Sequence, residues 1–233
     1  MPLIVGYQTI PVAAGSTTAM GVQFNNVTSE TGIPVKSLVT LDVPKGQATA
    51  VTTADQIWIY ENGAWTKYFY YVKRGAGNIW CKSTEPAVEI GDDVVLMPGQ
   101  SCFFVRSTGG AGNVTMAGAV VPLASQRSYN VAAGSTTAMA YPWPEPMKIK
   151  TFTQYIDIPK GQATAVTTAD QIWVYENGAW TKYFYYVKRG AGNIWCRADS
   201  PATEVGDDVV IPAGSAFFFI RSTGGAGTIT FAR

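Results

Sequence analysis

Histidine is absent from this 233-residue chain, and cysteine, leucine and charge are scarce. The missing imidazole removes the side chain most used as a general base near neutral pH and the commonest transition-metal ligand. It also removes the usual partner of a nucleophilic serine. Charged residues make up 14% of the chain, with a formal net charge of +1. That is too little for a groove that neutralises many phosphates, so no nucleic-acid partner is expected. The adjacent basic pairs Lys73-Arg74 and Lys188-Arg189 read as solvated loop flanks. No apolar run is long enough for a membrane-spanning helix, and no membrane insertion is expected. The opening Met1–Gly6 has neither a basic start nor a long apolar run and does not read as a signal peptide. Three cysteines give an odd count and no disulfide framework. No cofactor and no metal is expected.

What is present is said twice. Pro44–Cys81 recurs as Pro159–Cys196, displaced by 115 positions, and differs only where Ile59 becomes Val174. Gly91–Val95 and Arg106–Gly112 recur at the same displacement as Gly206–Val210 and Arg221–Gly227. A run near the front of each copy, Val12–Met20 and Val131–Met139, is displaced by 119. The chain therefore divides into two units, 1–117 and 118–233, joined by a short, partly extended segment without a Gly/Ser spacer. Units joined in this way are expected to pack against one another. The copies differ most before Pro44 and Pro159. The first has a polar stretch, Asn25–Thr31, and the second has the proline-stiffened Tyr141–Pro146, a projecting or packing segment whose Trp143 has no counterpart in the first copy.

Strand signals dominate. Gln56–Tyr60 and Trp65–Val72 flank Asn62-Gly63, a pair that tolerates the positive φ of a tight hairpin turn. In that register Glu61 faces Ala64, Tyr60 faces Trp65 and Trp58 faces Lys67. One side of the ribbon then carries Trp58, Tyr60, Trp65, Lys67, Phe69 and Tyr71, and the other Ile57, Ile59, Thr66, Tyr68 and Tyr70. The second copy repeats this hairpin around Asn177-Gly178. Further strands are predicted at Ile4–Pro11, Thr17–Phe24, Ser37–Val43, Asn78–Cys81, Val94–Met97, Ser101–Arg106 and Asn113–Met116, with a short helical turn near Thr52–Asp55. Short strands punctuated by Gly, Pro, Asn and Asp predict an all-β fold, a tandem duplication of a β-sandwich or barrel-like unit.

The carboxylates offer little catalytic chemistry. Asp92-Asp93 and Asp207-Asp208 read as tight turns in which Asp accepts backbone N–H bonds, although calcium binding and carboxylate hydrolysis use the same residue type. Asp55 and Glu61 are the other candidates. Ser107–Gly112 is Gly-rich but is followed by neither a Lys-Ser/Thr pair nor a helix, so it is not a phosphate loop. Cys102 matches Phe217 and reads as a small buried apolar group. Cys81 and Cys196 are equivalent, and read as free thiols unless the fold brings them together.

Aromatic residues, 12% of the chain, are the strongest functional clue. Trp58, Trp80 and their copies read as core. Candidate interface or ligand-stacking residues are Trp65, Lys67, Tyr68, Tyr70, Trp143, Trp180, Lys182, Tyr183 and Tyr185. The segments Gly91–Arg106 and Gly206–Arg221, with Gly6-Tyr7-Gln8-Thr9 at the front, resemble β-rich repeats of bacterial surface or secreted proteins. The second copy departs from that pattern with Ala213-Gly214 in place of Pro98-Gly99. The resemblance implies a β fold, an extracellular or cell-surface location, and no transferable catalytic residue. Because the opening does not itself read as a signal peptide, a cytoplasmically made particle component such as a phage virion protein also fits, while a leader removed by cleavage keeps secretion open. The expectation is a non-enzymatic structural or assembly protein making repeated contacts, by self-association or within a larger protein assembly, in a particle, filament or surface layer. The alternative is a carbohydrate-binding module with duplicated aromatic sites.

Overall fold

The computed structural model describes residues 4–28, 31–38, 45–47, 50–61, 63–75, 77–122, 125–156, 161, 166–176, 178–188, 192–222 and 224–232. Among these residues nineteen strands run in chain order. The first ten are β1 Val5–Val12, β2 Thr17–Gly21, β3 Phe24–Asn25, β4 Ile33–Pro34, β5 Gln56–Glu61, β6 Ala64–Lys73, β7 Gly77–Lys82, β8 Val95–Leu96, β9 Ser101–Val105 and β10 Gly112–Val120. The remainder are β11 Arg127–Val131, β12 Thr136–Ala140, β13 Met147–Lys148, β14 Gln171–Glu176, β15 Ala179–Lys188, β16 Gly192–Arg197, β17 Val210–Ile211, β18 Ala216–Ile220 and β19 Gly227–Phe231.

Each sequence copy contributes a five-stranded antiparallel sheet, ordered β2-β9-β5-β6-β7 in the first and β12-β18-β14-β15-β16 in the second. Opposite the first lies β1-β10-β3, and β11 pairs with β19 in the second half. The small pairs β4-β8 and β13-β17 complete the sheets. In the first half Ile10 and Val12 of β1 and Val114 and Met116 of β10 meet Met20, Ile57, Ile59, Cys102 and Phe104 from the larger sheet. Apolar side chains from two sheets enclose one core, a sandwich-like arrangement. Strand β10 continues through positions 117 and 118, where the two sequence units meet, and its last residues pair with β3.

The hairpin folds in the expected register, with Glu61 opposite Ala64, Tyr60 opposite Trp65 and Trp58 opposite Lys67. Gly63 has φ +80, as a tight turn requires, while Asn62 and Asn177 lie outside the described residues. Ile57, Ile59 and Tyr68 face the sandwich core. The opposite face is covered in two parts. Phe69, Ile79 and Cys81 pack beneath Ala54, which follows the 3-10 turn Val51–Thr53. The rest, around Trp58, Tyr60, Trp65 and Phe103, faces the other half of the molecule. Strand β9 is accordingly enclosed on both sides over Ser101–Phe104, which explains its unbroken apolar run.

Other sequence expectations shift locally. Thr17–Phe24 is two strands, β2 and β3. Of the predicted strand Ser37–Val43, Ser37 and Leu38 instead close a short helical turn, Val35–Leu38, and 39–43 lie outside the described residues. The helical turn exists because Val35 and Lys36 donate backbone N–H bonds sideways to Val94 and Gly91, leaving no ladder to extend.

Candidate functional site

The outer faces of the two five-stranded sheets meet in an aromatic seam. Phe103 of β9 lies near-parallel to its counterpart Phe218 of β18, with ring centroids 6.3 Å apart and planes 27° apart. Around this pair the contacts come in exchanged sets. Trp65 approaches Phe218 at 6.1 Å and Trp180 approaches Phe103 at 5.9 Å. Tyr60 meets Phe218 at 5.5 Å and Tyr175 meets Phe103 at 6.0 Å. Most of these rings cross at steep angles, edge towards face, the arrangement favoured by aromatic quadrupoles. Backbone bonds repeat the exchange: Gly21 N–H donates to Gly214 O and Ala140 N–H donates to Gly99 O, both at 2.6 Å. The halves are thus related by an approximate two-fold through the Phe103–Phe218 pair.

Polar side chains finish the seam at its ends. Gln8 Nε2 donates to Ala213 O at 2.6 Å, and the Tyr129 hydroxyl donates to Pro98 O at 3.1 Å. Burial pushes the Tyr129 phenol well above its ordinary pKa, so it remains a neutral donor. Gln23 Nε2 donates to Trp143 O at 2.6 Å. Lys67 and Lys182 sit over the rings of Trp58 and Trp173, 4.0 and 4.1 Å from their centroids. These cation–π contacts place two ammonium groups on the rim of the seam.

The nine aromatic and lysine candidates therefore separate into three groups. Trp65, Trp180, Lys67 and Lys182 belong to the seam or its rim, and Trp65 retains 36% exposure. Tyr68 and Tyr183 are buried in the sandwich cores, and Tyr70 and Tyr185 lean on Trp80 and Trp195, each pair 5.2 Å apart. Trp143 is fully enclosed beside Tyr141. Counted from Val12 and Val131, it occupies the place of Phe24, which is also buried, so it does have a counterpart in the first copy. Its ring is core, and only its carbonyl reaches the seam. Of the four tryptophans read as core, Trp80 and Trp195 are buried, whereas Trp58 and Trp173 are half-buried under their lysines.

Two open clefts flank the seam. One, of about 610 Å³, lies between Tyr60 and Gly63 at the first hairpin tip and the Ala132–Ala138 turn of the second half. The other, of about 970 Å³, lies between Tyr175 and Gly178 at the second tip and the matching Ala13–Ala19 segment of the first half. Each cleft is composite: one half supplies the ring and the other supplies Thr hydroxyls. The sequence marked the Ala-Ala-Gly-Ser-Thr-Thr-Ala segment as repeated, but gave no sign that it lies beside the opposite hairpin.

The carboxylates have structural partners. Asp55 is fully buried and its Oδ2 accepts bonds from Arg106 Nη1 and Lys45 N–H, both at 2.7 Å, while Oδ1 accepts Ser107 N–H at 3.0 Å. Arg106 also donates from Nε to Gly110 O. Asp170 and Arg221 repeat this anchor at 3.0 Å. The Gly-rich loops are therefore pinned by buried, fully engaged ion pairs. Asp92 and Asp207 lie on exposed turns and pair with Lys36 and Lys150, at 2.9 and 2.6 Å. The hydrogen bond from Lys150 holds the Asp207 carboxyl below its ordinary pKa. In these turns the carboxylates that accept backbone N–H bonds are Glu89 and Glu204, not the predicted aspartates. All three cysteines are buried free thiols, and burial raises that of Cys102 to about 12.

The chain matches no known protein family, no characterised protein and no solved structure.

Proposed function

We propose that this protein is a non-enzymatic structural component that makes repeated protein–protein contacts in a larger assembly, as a particle, filament or surface-layer subunit at a virion or cell surface. The carrying observation is the self-complementary seam: the same sheet face, with Phe103, Trp65 and Tyr60 in one half and Phe218, Trp180 and Tyr175 in the other, docks against its own repeat. A surface that recognises its own copy is what symmetric assembly requires. In this reading 1–117 and 118–233 are two units of one rigid building block, and the likeness to bacterial surface repeats describes its setting. Light scattering over a rising concentration series tests it. The expected result is a mass that grows beyond one chain, and a strictly monomeric mass throughout overturns it.

The composite clefts favour carbohydrate binding as a second reading. Each sets a tyrosine ring beside threonines, Thr136 and Thr137 or Thr17 and Thr18. Among the described residues that lining carries no charge, which suits a neutral, hydroxyl-rich ligand. A glycan array should show binding that is lost in the double variant Tyr60→Ala/Tyr175→Ala; no binding, or binding unchanged by that variant, removes the clefts as sugar sites.

A further inference from the structure

Docking of the two halves leaves one long sheet edge without a partner among the described residues. Strand β1 pairs with β10 on one side and with nothing on the other. The phase of that ladder is fixed by the bond from Val120 N–H to Ile4 O, 2.9 Å. Even-numbered residues of β1 therefore turn their peptide groups towards β10, and Val5, Tyr7 and Thr9 turn theirs outward. These odd-numbered residues also carry the exposed side chains. Tyr7 is 78% exposed, Ile4 68% and Val5 57%, the three highest values among the exposed large apolar residues.

This edge carries none of the charged residues that normally guard an open strand. No Asp, Glu, Lys or Arg precedes Glu30. The register runs unbroken from Val5 opposite Ala119 to Val12 opposite Gly112, so no bulge twists the edge away. Pro11 alone interrupts the donors, at the far end. The second half does not repeat the feature. Counted from Val131, the places of Val5, Gly6 and Tyr7 hold Ala124, Ser125 and Gln126, and the strand β11 begins with Arg127.

We infer that a second copy of this chain docks on this edge, β1 against β1 and antiparallel, about a two-fold axis at Tyr7. The inference rests on the assembly reading above and names its partner. Donor positions set the register. With Tyr7 opposite Tyr7 of the other copy, Val5 stands opposite Thr9 at both ends, and each facing pair exchanges two backbone bonds. A centre one residue further on would set Val5 O opposite Pro11, which has no N–H to donate, and Pro11 ends the ladder for the same reason. The sheet β1-β10-β3 then continues through its mate as six strands. A copy fits better than a charged strand because neither uncharged edge brings an ion to be desolvated without a counter-charge. The pairing is isologous and closes at two copies.

Sedimentation equilibrium of the full chain tests this with Tyr7→Lys and, as a control, Val88→Lys at another exposed apolar position. Tyr7→Lys sets two ammonium groups opposite each other across the axis and should weaken dimerisation at least about tenfold, while Val88→Lys leaves it unchanged. A second variant does not depend on tolerance of lysine. Facing α-carbons in a hydrogen-bonded antiparallel pair lie about 5.5 Å apart, within disulfide range. Because the native thiols are buried, Tyr7→Cys should give a covalent dimer on mild oxidation. Association that survives Tyr7→Lys, with no covalent dimer from Tyr7→Cys, overturns docking at this edge and leaves the assembly reading standing. No association at any concentration overturns both.

Discussion

The first and second halves share a frame but not a filling. At four corresponding places the first half buries Val22, Leu38, Cys102 and Met116, and the second buries Tyr141, Phe152, Phe217 and Phe231. The match of Leu38 to Phe152 follows from equivalent backbone bonds, Lys36 N–H to Gly91 O and Lys150 N–H to Gly206 O. The larger rings come as a set. Phe152 lies 5.9 Å from Phe217 and 6.2 Å from Phe231, and Tyr141 lies 5.6 Å from Phe231. At the seam, by contrast, Tyr60, Trp65 and Phe103 are matched by the same residue types, Tyr175, Trp180 and Phe218. A closed core tolerates a different side chain when its neighbours change with it. The seam has no such private freedom, because each face is the other's neighbour.

Exchanging single core residues between the halves tests this contrast most severely. Phe217→Cys removes a ring that Phe152 packs against and leaves a void. The expected loss is about 3 kcal/mol in urea denaturation. Cys102→Phe adds a ring where the thiol is already fully enclosed, with an expected loss of about 1–3 kcal/mol. If either exchange costs less than about 0.5 kcal/mol, the two fillings are interchangeable residue by residue and the contrast fails.

The hairpin register was legible because it depends on neighbours in sequence: Asn-Gly fixes the turn, and alternation then assigns Ile57, Ile59 and Tyr68 to one face. The burial of Cys102 was legible from its match to Phe217. The fate of the other face was not, because Trp65 reads equally well as a stacking platform and as half of a seam until the second sheet is placed against it. Trp143 was not legible for a related reason: a proline-stiffened segment can project or pack, and only the fold puts its ring in the buried place of Phe24. The anchor Asp55–Arg106 joins residues 51 positions apart. Nothing local distinguishes Asp55 from a solvated carboxylate. The clefts are still less legible, since each is made by pieces of opposite halves.

A smaller and more pointed test lies where the seam does distinguish the halves. Gly21 and Ala140 occupy corresponding places, at the ends of β2 and β12, and they meet across the approximate two-fold. A Cβ on Gly21 would stand 2.2 Å from the Cβ of Ala140 and 3.1 Å from Ser215 O. There is room for one methyl group, not two. Gly21→Ala should therefore force the halves apart and strain the bonds from Gly21 to Gly214 and from Ala140 to Gly99, at a cost of about 1–3 kcal/mol. Ala140→Gly removes the methyl and should cost about 1 kcal/mol or less. The double exchange Gly21→Ala/Ala140→Gly restores one methyl from the other side and should recover more than half of the loss seen with Gly21→Ala alone. Thermal unfolding of the four proteins gives the coupling between the two positions directly. Strict additivity would mean that the two residues do not meet, and with it the two-fold docking of the halves would fall.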